Sequence, residues 1–291
     1  FFLVPKGDAL SERRLARFGE VKFLRKPRGP KTSMHMFAAN LLEALVGSVS
    51  SVSSRFDVVV SAGSNFCVPP AIIAWVRRIP VVNIESPVRF SRPSKTARLL
   101  QPFAAITALH WEEQKKLLNG VVVGPILPEP VAVSEDEGYI LVTGGTYGHK
   151  LLFDAISDSS LHNVVLQTGP INPEPYAKKH PEWKVFATSE RFHELLAGAR
   201  VVITHFGLTA LEAAALYRKP TVLVLNPEWT RTVGAEDAEH LARKLDAVFI
   251  TDVTSENILT AVKAVENRNP PELRDGAKRL AALILELSDK G

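Results

Sequence analysis

The sequence predicts an α/β protein of two Rossmann-like halves, each with a parallel sheet. Three observations predict it. Short apolar runs alternate with helical stretches along the chain, which is the pattern of βαβ units. The stretch Gly124–Gly138, "GPILPEPVAVSEDEG", interrupts the alternation with three prolines and four acids, as a linker does. The length, 291 residues, exceeds one ordinary core and suits two.

In the first half the apolar runs Phe1–Val4, Val21–Leu24, Val58–Ser61, Val81–Ile84, Ala105–Ala108 and Val121–Val123 read as strands. Helices are expected at Ser11–Arg17, Ser33–Val49, Pro69–Arg77, Ser94–Leu100 and Trp111–Leu118. Past the linker the expected order is strand Tyr139–Thr143, helix Leu151–Asp158, strands Asn163–Thr168 and Lys184–Phe186, helix Phe192–Ala197 and strand Val201–Thr204. Helix Thr209–Tyr217, strand Thr221–Leu225, helix Glu236–Leu245, strand Ala247–Ile250, helix Glu256–Val265 and a last helix Glu272–Leu287 follow. The expected domains are residues 1–126, a linker 127–137, residues 138–270, and a helical tail 271–291. The chain opens on Phe1-Phe2-Leu3-Val4 without an initiator Met, so an upstream segment is expected.

Hydrophobic residues make up 46% and charged residues 23%, which suits a soluble globular enzyme. A single cysteine, Cys67, excludes an internal disulfide and a cysteine-based zinc cluster. No run approaches the ~20 apolar residues of a membrane span. The net charge of +4 is uneven: residues 1–31 hold nine Lys/Arg against three acids. That segment suits an anionic partner or is a solvated surface.

Ligands of such folds sit at the carboxyl ends of strands. There, Thr143-Gly144-Gly145-Thr146 ends a strand and feeds a helix, either as an anion-binding turn or as a plain tight turn. "ITHFGLTALE" (203–212) is a second such turn. Its Thr209-x-x-Glu212 reads as a capping box, or as a helix start for a phosphate with a carboxylate placed for ribose hydroxyls. A third turn, Asn226-Pro227-Glu228-Trp229-Thr230-Arg231, offers Arg231 to phosphate or to solvent. Arg89, Arg92, Lys95 and Arg98 recur every three residues and could share one face toward a diphosphate or acidic headgroups. "MHMFAANLLEALV" (34–46) is a core helix or one that dips into a membrane.

These motifs together resemble the GT-B glycosyltransferases of the glycosyltransferase 28 type that use UDP-GlcNAc. "LTALE" is similar to the helix start of the bacterial lipid II-forming GlcNAc transferases. "ITHFG" and "KPTVLVLN" resemble the catalytic subunit of the eukaryotic enzyme that adds the second GlcNAc to dolichyl-diphosphate-GlcNAc. "SAGSNFCVPPAI" (61–72), "VVNIESPVRFSRPSKTARLL" (81–100) and "HWEE" (110–113) resemble its membrane-recruiting subunit, so the chain looks like a fusion of the two.

The resemblance implies two sheets facing a cleft, with no cofactor beyond UDP-GlcNAc as donor substrate. It implies a donor site of Gly144, Gly145, Thr146, His205, Phe206, Gly207, Leu208, Thr209, Glu212, Asn226 and Arg231. Gly207 and Thr209 would approach the diphosphate and Glu212 the ribose. Glu85 would serve as general base or acceptor ligand, unless it is a cap or a salt-bridge partner of Arg89. Ser64, Asn65, Arg89, Arg92 and Lys95 would meet the acceptor diphosphate. His205 touches the donor or is a structural hydrogen-bonder; Glu236 and Asp237 are further candidates for the donor sugar. The implied reaction inverts the anomeric carbon and gives a β-linkage to a polyprenyl- or dolichyl-diphosphate-linked sugar, in N-glycan-type lipid-linked oligosaccharide assembly. The implied place is peripheral, on the cytoplasmic face of a membrane, without nucleic acid. A single chain joining both halves points to a prokaryote such as an archaeon. The presence of only three glutamines (Gln101, Gln114, Gln167) points to a thermophile.

The sequence departs from that family at several points. The family's first strand and Gly/His-rich loop do not precede Phe1, the turn after Ile203 has one glycine rather than two, and the family's Asn-His-Gln is Glu236-Asp237-Ala238 here. No Asp-x-Asp occurs, so a metal-free reaction is expected, with amides and basic groups stabilising the leaving UDP. The rivals are a UDP-GlcNAc 2-epimerase or glycolipid synthase on the same fold, and a non-catalytic membrane-docking subunit. "TGGTYG" lacks the Gly-x-Gly-x-x-Gly spacing of nicotinamide-binding turns.

Overall fold

The computed structural model describes residues 1–29, 32–130, 136–229 and 234–289, with only the backbone at residues 146 and 229. The chain forms two compact units, Phe1–Pro125 with Asp275–Gly291, and Ile126–Arg274.

In the first unit the strands fall into two sheets. Strands β1 (Phe2–Pro5) and β2 (Val21–Leu24) pair in parallel around α1 (Ala9–Leu15). Asp8 caps that helix by accepting from the Ser11 amide at 3.0 Å. A second, parallel sheet runs β3 (Val59–Ser61), β4 (Val81–Ile84), β5 (Ile106–Leu109), β6 (Val121–Val122). Its helices are α2 (Met34–Ser51), α3 (Val68–Val76), which carries Pro69 and Pro70 in its first turn where no amide is needed, and α4 (Lys95–Leu100). Val52, Ala71, Ala74, Ile79, Val81 and Leu100 make the core between them.

Helix α2 is turned against its composition. It buries Asn40, Ala44 and Ser48, spaced four apart, and exposes Met34, Leu42, Val46 and Val49. The expectation of an apolar core helix is therefore corrected: Ala44 and Ser48 are small enough for close packing, and the large apolar side chains lie outside. The expected helix Trp111–Leu118 is a shorter 3₁₀ turn, Glu112–Lys116. Gln114 folds back there and accepts from the His110 and Trp111 amides at 2.7 and 3.3 Å.

The second unit is one six-stranded parallel sheet. Its strands are β7 (Tyr139–Thr143), β8 (Val164–Gln167), β9 (Lys184–Phe186), β10 (Ala199–His205), β11 (Thr221–Val224) and β12 (Val248–Ile250), in the order β12-β11-β10-β7-β8-β9. Every residue of β7 and of β11 is buried, as in a sheet covered on both faces. Ile140 and Val142 face α5 (Lys150–Ser157) and α10 (Ser255–Val265), while Tyr139 and Leu141 face α7 (Phe192–Gly198). A short helix α6 (Glu174–Lys179), which the sequence reading did not assign, precedes β9. Helix α8 (Leu208–Leu211) continues as a π turn, Glu212–Leu216, and α9 (Ala235–Leu245) follows β11.

The last helix, α11 (Ala277–Ser288), belongs to the first unit and starts five residues later than expected. Gly276 lies against the backbone at Gly124, where a Cβ would meet the carbonyl oxygen at 2.4 Å, and its amide donates to Pro125 at 2.6 Å.

Candidate functional site

Strand order singles out one place on the six-stranded sheet. From β7 the chain moves to β8 on one side; from β10 it moves to β11 on the other. The connections therefore diverge between β7 and β10, and ligands of open parallel sheets bind at such a switch point. Thr143 and Thr204 stand side by side there, and the turns after them leave together.

The turn after β7 is built from glycine because nothing else fits. A Cβ on Gly144 would lie 2.4 Å from both the Gly148 carbonyl carbon and the His149 amide. Gly145 has φ +66° in a 3₁₀ turn that runs to Tyr147. Its amide donates to Thr143 Oγ1 at 3.2 Å. His149 then caps α5, its Nδ1 accepting from Leu152 N at 3.3 Å while Nε2 donates to the Leu225 carbonyl at 3.1 Å. Burial holds that imidazole down to about 4, so it is neutral and both nitrogens are used. Asn226, also buried, donates to the Gly148 carbonyl at 3.4 Å and accepts from Glu228 N at 3.1 Å. His149 and Asn226 thus tie the turn after β11 to the turn after β7.

The turn after β10 begins at His205, whose pKa burial lowers. Gly207 is the residue before α8, with extended backbone, so Thr209 lies inside the helix. A capping box needs the hydroxyl residue at the cap, so Thr209-x-x-Glu212 is not one. Glu212 opens the π turn and is half-buried, as Thr209 is. π turns are rare and cluster at functional sites.

At the carboxyl end of β4 the first unit is built differently. The Glu85 side chain is buried, and both its oxygens accept backbone amides: Ser86 at 2.6 Å and Ser94 at 2.8 Å. It closes the loop 86–94 like a clasp. His110 Nε2 donates to the Glu85 carbonyl at 2.8 Å, and burial lowers that imidazole to about 4. Trp111 donates to Pro87, and Gln114 to the Ser86 and Arg89 carbonyls, at 2.7–2.9 Å. The clasped loop carries half-buried Arg89 and exposed Arg92, with exposed Lys95 just beyond it.

Residues 139–283 match the model of the glycosyltransferase family 28 C-terminal domain. That match spans just under half of the chain. A UDP-N-acetylglucosamine--N-acetylmuramyl-(pentapeptide) pyrophosphoryl-undecaprenol N-acetylglucosamine transferase of Trichodesmium erythraeum is 23% identical over 282 residues, 85% of this chain and 75% of that protein. The enzyme of the same name from Clostridium botulinum is 28% identical over 189 residues, 58% of this chain and 52% of that protein. Other matches to curated relatives of this name cover up to 78% of their length. The fold is GT-B. Solved structures of Acinetobacter baumannii MurG (TM-score 0.66, 18% identical) and the calicheamicin glycosyltransferase CalG4 (0.59, 16%) each cover 98% of the chain. They are covered to 90% and 86% themselves. UDP-GlcNAc 2-epimerase of Neisseria meningitidis bound to UDP-GlcNAc matches at 0.63 and 15% over 97% of the chain and 90% of its own.

Within the matched residues 139–283 the structure brings Gly144, Gly145, His205, Gly207, Leu208, Thr209 and Glu212 to the carboxyl edge of the sheet. Thr146 lies in the same turn by its backbone, and Arg231 lies outside the described residues. Three readings need correction. Phe206 is buried with its ring edge-on to that of His205, 5.3 Å between centroids, so it backs the histidine and offers no exposed surface of its own. Asn226 is committed to the two loops it joins. Asp237 is buried on α9, while Glu236 is exposed. In the first unit, Glu85 is spent on amides and does not stand free as a base or in a pair with Arg89. Asn65 accepts from the Arg28 amide at 3.3 Å and donates to its carbonyl at 3.1 Å, so it anchors the basic segment. Ser64 is exposed in the left-handed region at φ +69°, a strained conformation beside β3. His149 and Gln114 escaped the sequence reading as site residues, and His110 entered it only within the "HWEE" motif. A histidine directly before a helix, where Ser or Asp is usual, was the available signal for the first. Among the described residues no group of three or more His, Cys, Asp or Glu could hold a metal ion.

Proposed function

We propose that this chain moves GlcNAc from UDP-GlcNAc onto a sugar carried by a polyprenyl or dolichyl diphosphate at a membrane surface. The observation that carries the proposal is the switch point between β7 and β10, where two glycine turns meet in a family 28 domain. In this reading the amides of the Gly144–Gly148 turn and the start of α8 hold the diphosphate, and Glu212 accepts from the ribose hydroxyls. Those donors are fixed before the reaction, so they stabilise charge on the departing UDP without reorganising. The acceptor hydroxyl attacks the anomeric carbon directly and inverts it.

The first unit takes the acceptor in this proposal. Arg89, Arg92 and Lys95 are cations on or beside a loop whose backbone is fixed by Glu85, Trp111 and Gln114. The exposed stripe Met34, Leu42, Val46 and Val49 on α2 supplies apolar area for peripheral membrane contact. No helix among the described residues is long and apolar enough to cross a membrane.

Titration calorimetry with UDP-GlcNAc, UDP-glucose, UDP and NAD tests the donor half. Binding of UDP and UDP-GlcNAc is expected, weaker by about tenfold or more in Glu212→Ala, with no heat from NAD, since a lost pair of ribose hydrogen bonds is worth roughly 1.5–3 kcal/mol. A folded chain that ignores UDP sinks the proposal. A second reading, epimerisation of UDP-GlcNAc, follows from the shared fold of the Neisseria meningitidis enzyme. It would consume UDP-GlcNAc without a lipid acceptor, and incubation with and without acceptor lipid separates the two.

A further inference from the structure

Two neighbouring residues of the switch point, Thr204 and His205, each keep a buried polar side-chain atom without a hydrogen-bond partner among the described residues, and of the two only His205 titrates. Its Nδ1 is buried and has no hydrogen-bond partner among the described residues. The rest of the ring borders two residues that lack side chains. A Cβ on Gly145 would come within 3.7 Å of Cδ2, and one on Gly207 within 3.7 Å of Nε2. A side chain at either position would rest in ordinary contact with the ring and cover that edge; glycine at both leaves it uncovered on the side where the two turns meet.

His149, close enough that a charge on His205 would depress it further, is not the group that responds. Its Nδ1 accepts from Leu152 and its Nε2 donates to Leu225, so adding a proton would break the helix cap. The other titratable groups on the surrounding elements are Tyr147 in the Gly145–Tyr147 turn, Glu212 at the head of the π turn and Glu228 past β11. The strand neighbours of His205, Val224 on β11 and, one position back, Thr143 on β7, do not titrate.

We propose that His205 takes up a proton from solvent as the diphosphate of a nucleotide sugar seats between the Gly145 and Gly207 turns, which makes donor affinity depend on pH. This rests on the donor-site reading above. Burial disfavours the imidazolium in the free protein, and two adjacent negative charges reverse that preference. The linkage has a definite sign. The His205 pKa lies below its ordinary 6.5 in the free protein and rises on binding. Affinity therefore climbs as pH falls through the bound-state pKa and levels off below the free-state pKa. For one proton the steepest slope is about tenfold per pH unit.

UDP-GlcNAc is the right probe, because its doubly esterified diphosphate does not itself titrate near neutrality, whereas UDP carries a terminal phosphate that does. Calorimetric titration of the whole chain with UDP-GlcNAc near pH 6.5, in two buffers of low and high ionisation enthalpy, reads the proton count directly. A buffer-dependent heat that corresponds to proton uptake is expected. In His205→Gln, which keeps a side-chain donor, that dependence should vanish while binding survives, weakened by about tenfold. Buffer-independent heats with intact binding overturn the inference and leave the donor site standing, as does proton uptake that persists in the variant. A folded chain that gives no heat with UDP-GlcNAc removes the donor site and this inference together. The wild-type measurement decides even where the variant folds poorly.

Discussion

At the end of β7 the chain turns through Gly144, Gly145 and Gly148, and what it presents is backbone. At the end of β4 it turns through loop 86–94, and the side chains of Glu85, Trp111 and Gln114 reach back to fix that loop's backbone. Both ends are rigid, but by different means. The glycine turn is shaped by close approach and leaves room beside it, which suits a ligand read through its phosphates. The clasped loop uses its amides and carbonyls internally and presents cationic side chains, which suits a ligand whose lipid and sugar portions vary around a charged group. In the proposed reading, one unit recognises with its backbone, the other with what its backbone carries.

The widest difference is expected at Gly144→Ala. The new Cβ would sit 2.4 Å from backbone at Gly148 and His149, so the turn must open. Loss of roughly 3 kcal/mol of stability is expected, together with loss of UDP-GlcNAc binding. A variant that melts like the parent and binds like it would show that the turn is not shaped by contact. Acid comes next. His149 and His110 are buried with values of about 4, against 6.5 when unfolded. Between those values the unfolded chain binds the extra protons, so stability falls as pH drops from about 6.5 to about 4 and flattens below. Each site contributes at most about 3 kcal/mol. His149→Asn keeps a helix cap and should remove that site's part of the acid limb, read from urea midpoints at pH 7 and pH 4.5.

Glu85→Gln sharpens the contrast. The variant retains one accepting oxygen and strands one amide, so a loss of about 1–3 kcal/mol is expected, larger in Glu85→Ala. A free base would instead lose transfer rate at unchanged stability, and chemical denaturation beside an activity assay separates the two. The smallest effect belongs to Leu42→Glu on α2. The side chain is exposed, so stability should move by no more than about 0.5 kcal/mol. Sedimentation with anionic vesicles should drop, and unchanged sedimentation would take α2 out of the membrane contact.

Much of this was legible in the sequence where a local pattern sufficed. The runs at Val81–Ile84 and Tyr139–Thr143 are strands within those bounds, since apolar residues buried on both faces leave an unbroken run. The glycines of the β7 turn announced themselves. Strand order did not: the divergence between β7 and β10 is a property of five connections taken together, and no single stretch encodes it. Glu85 shows the same limit, since its partners are its own neighbour and an amide nine positions on. For α2 the apolar count was legible but its orientation was not, because packing space, set by Ala44 and Ser48, decided which face went inward. The start of α8 was misread because Gly207 ends the turn with extended backbone and no side-chain cap.

The return of α11 to the first unit, held where Gly276 meets Gly124 and Pro125, makes the second unit an insertion. Its residues, 126–274, are continuous and can condense as soon as they are synthesised. The first unit is discontinuous and waits for the chain's last helix. A ribosome therefore completes the second unit before α11 emerges to join the first. Cutting the chain at the linker would leave the whole second unit on one piece and part the first unit from α11, which would then have to return in trans.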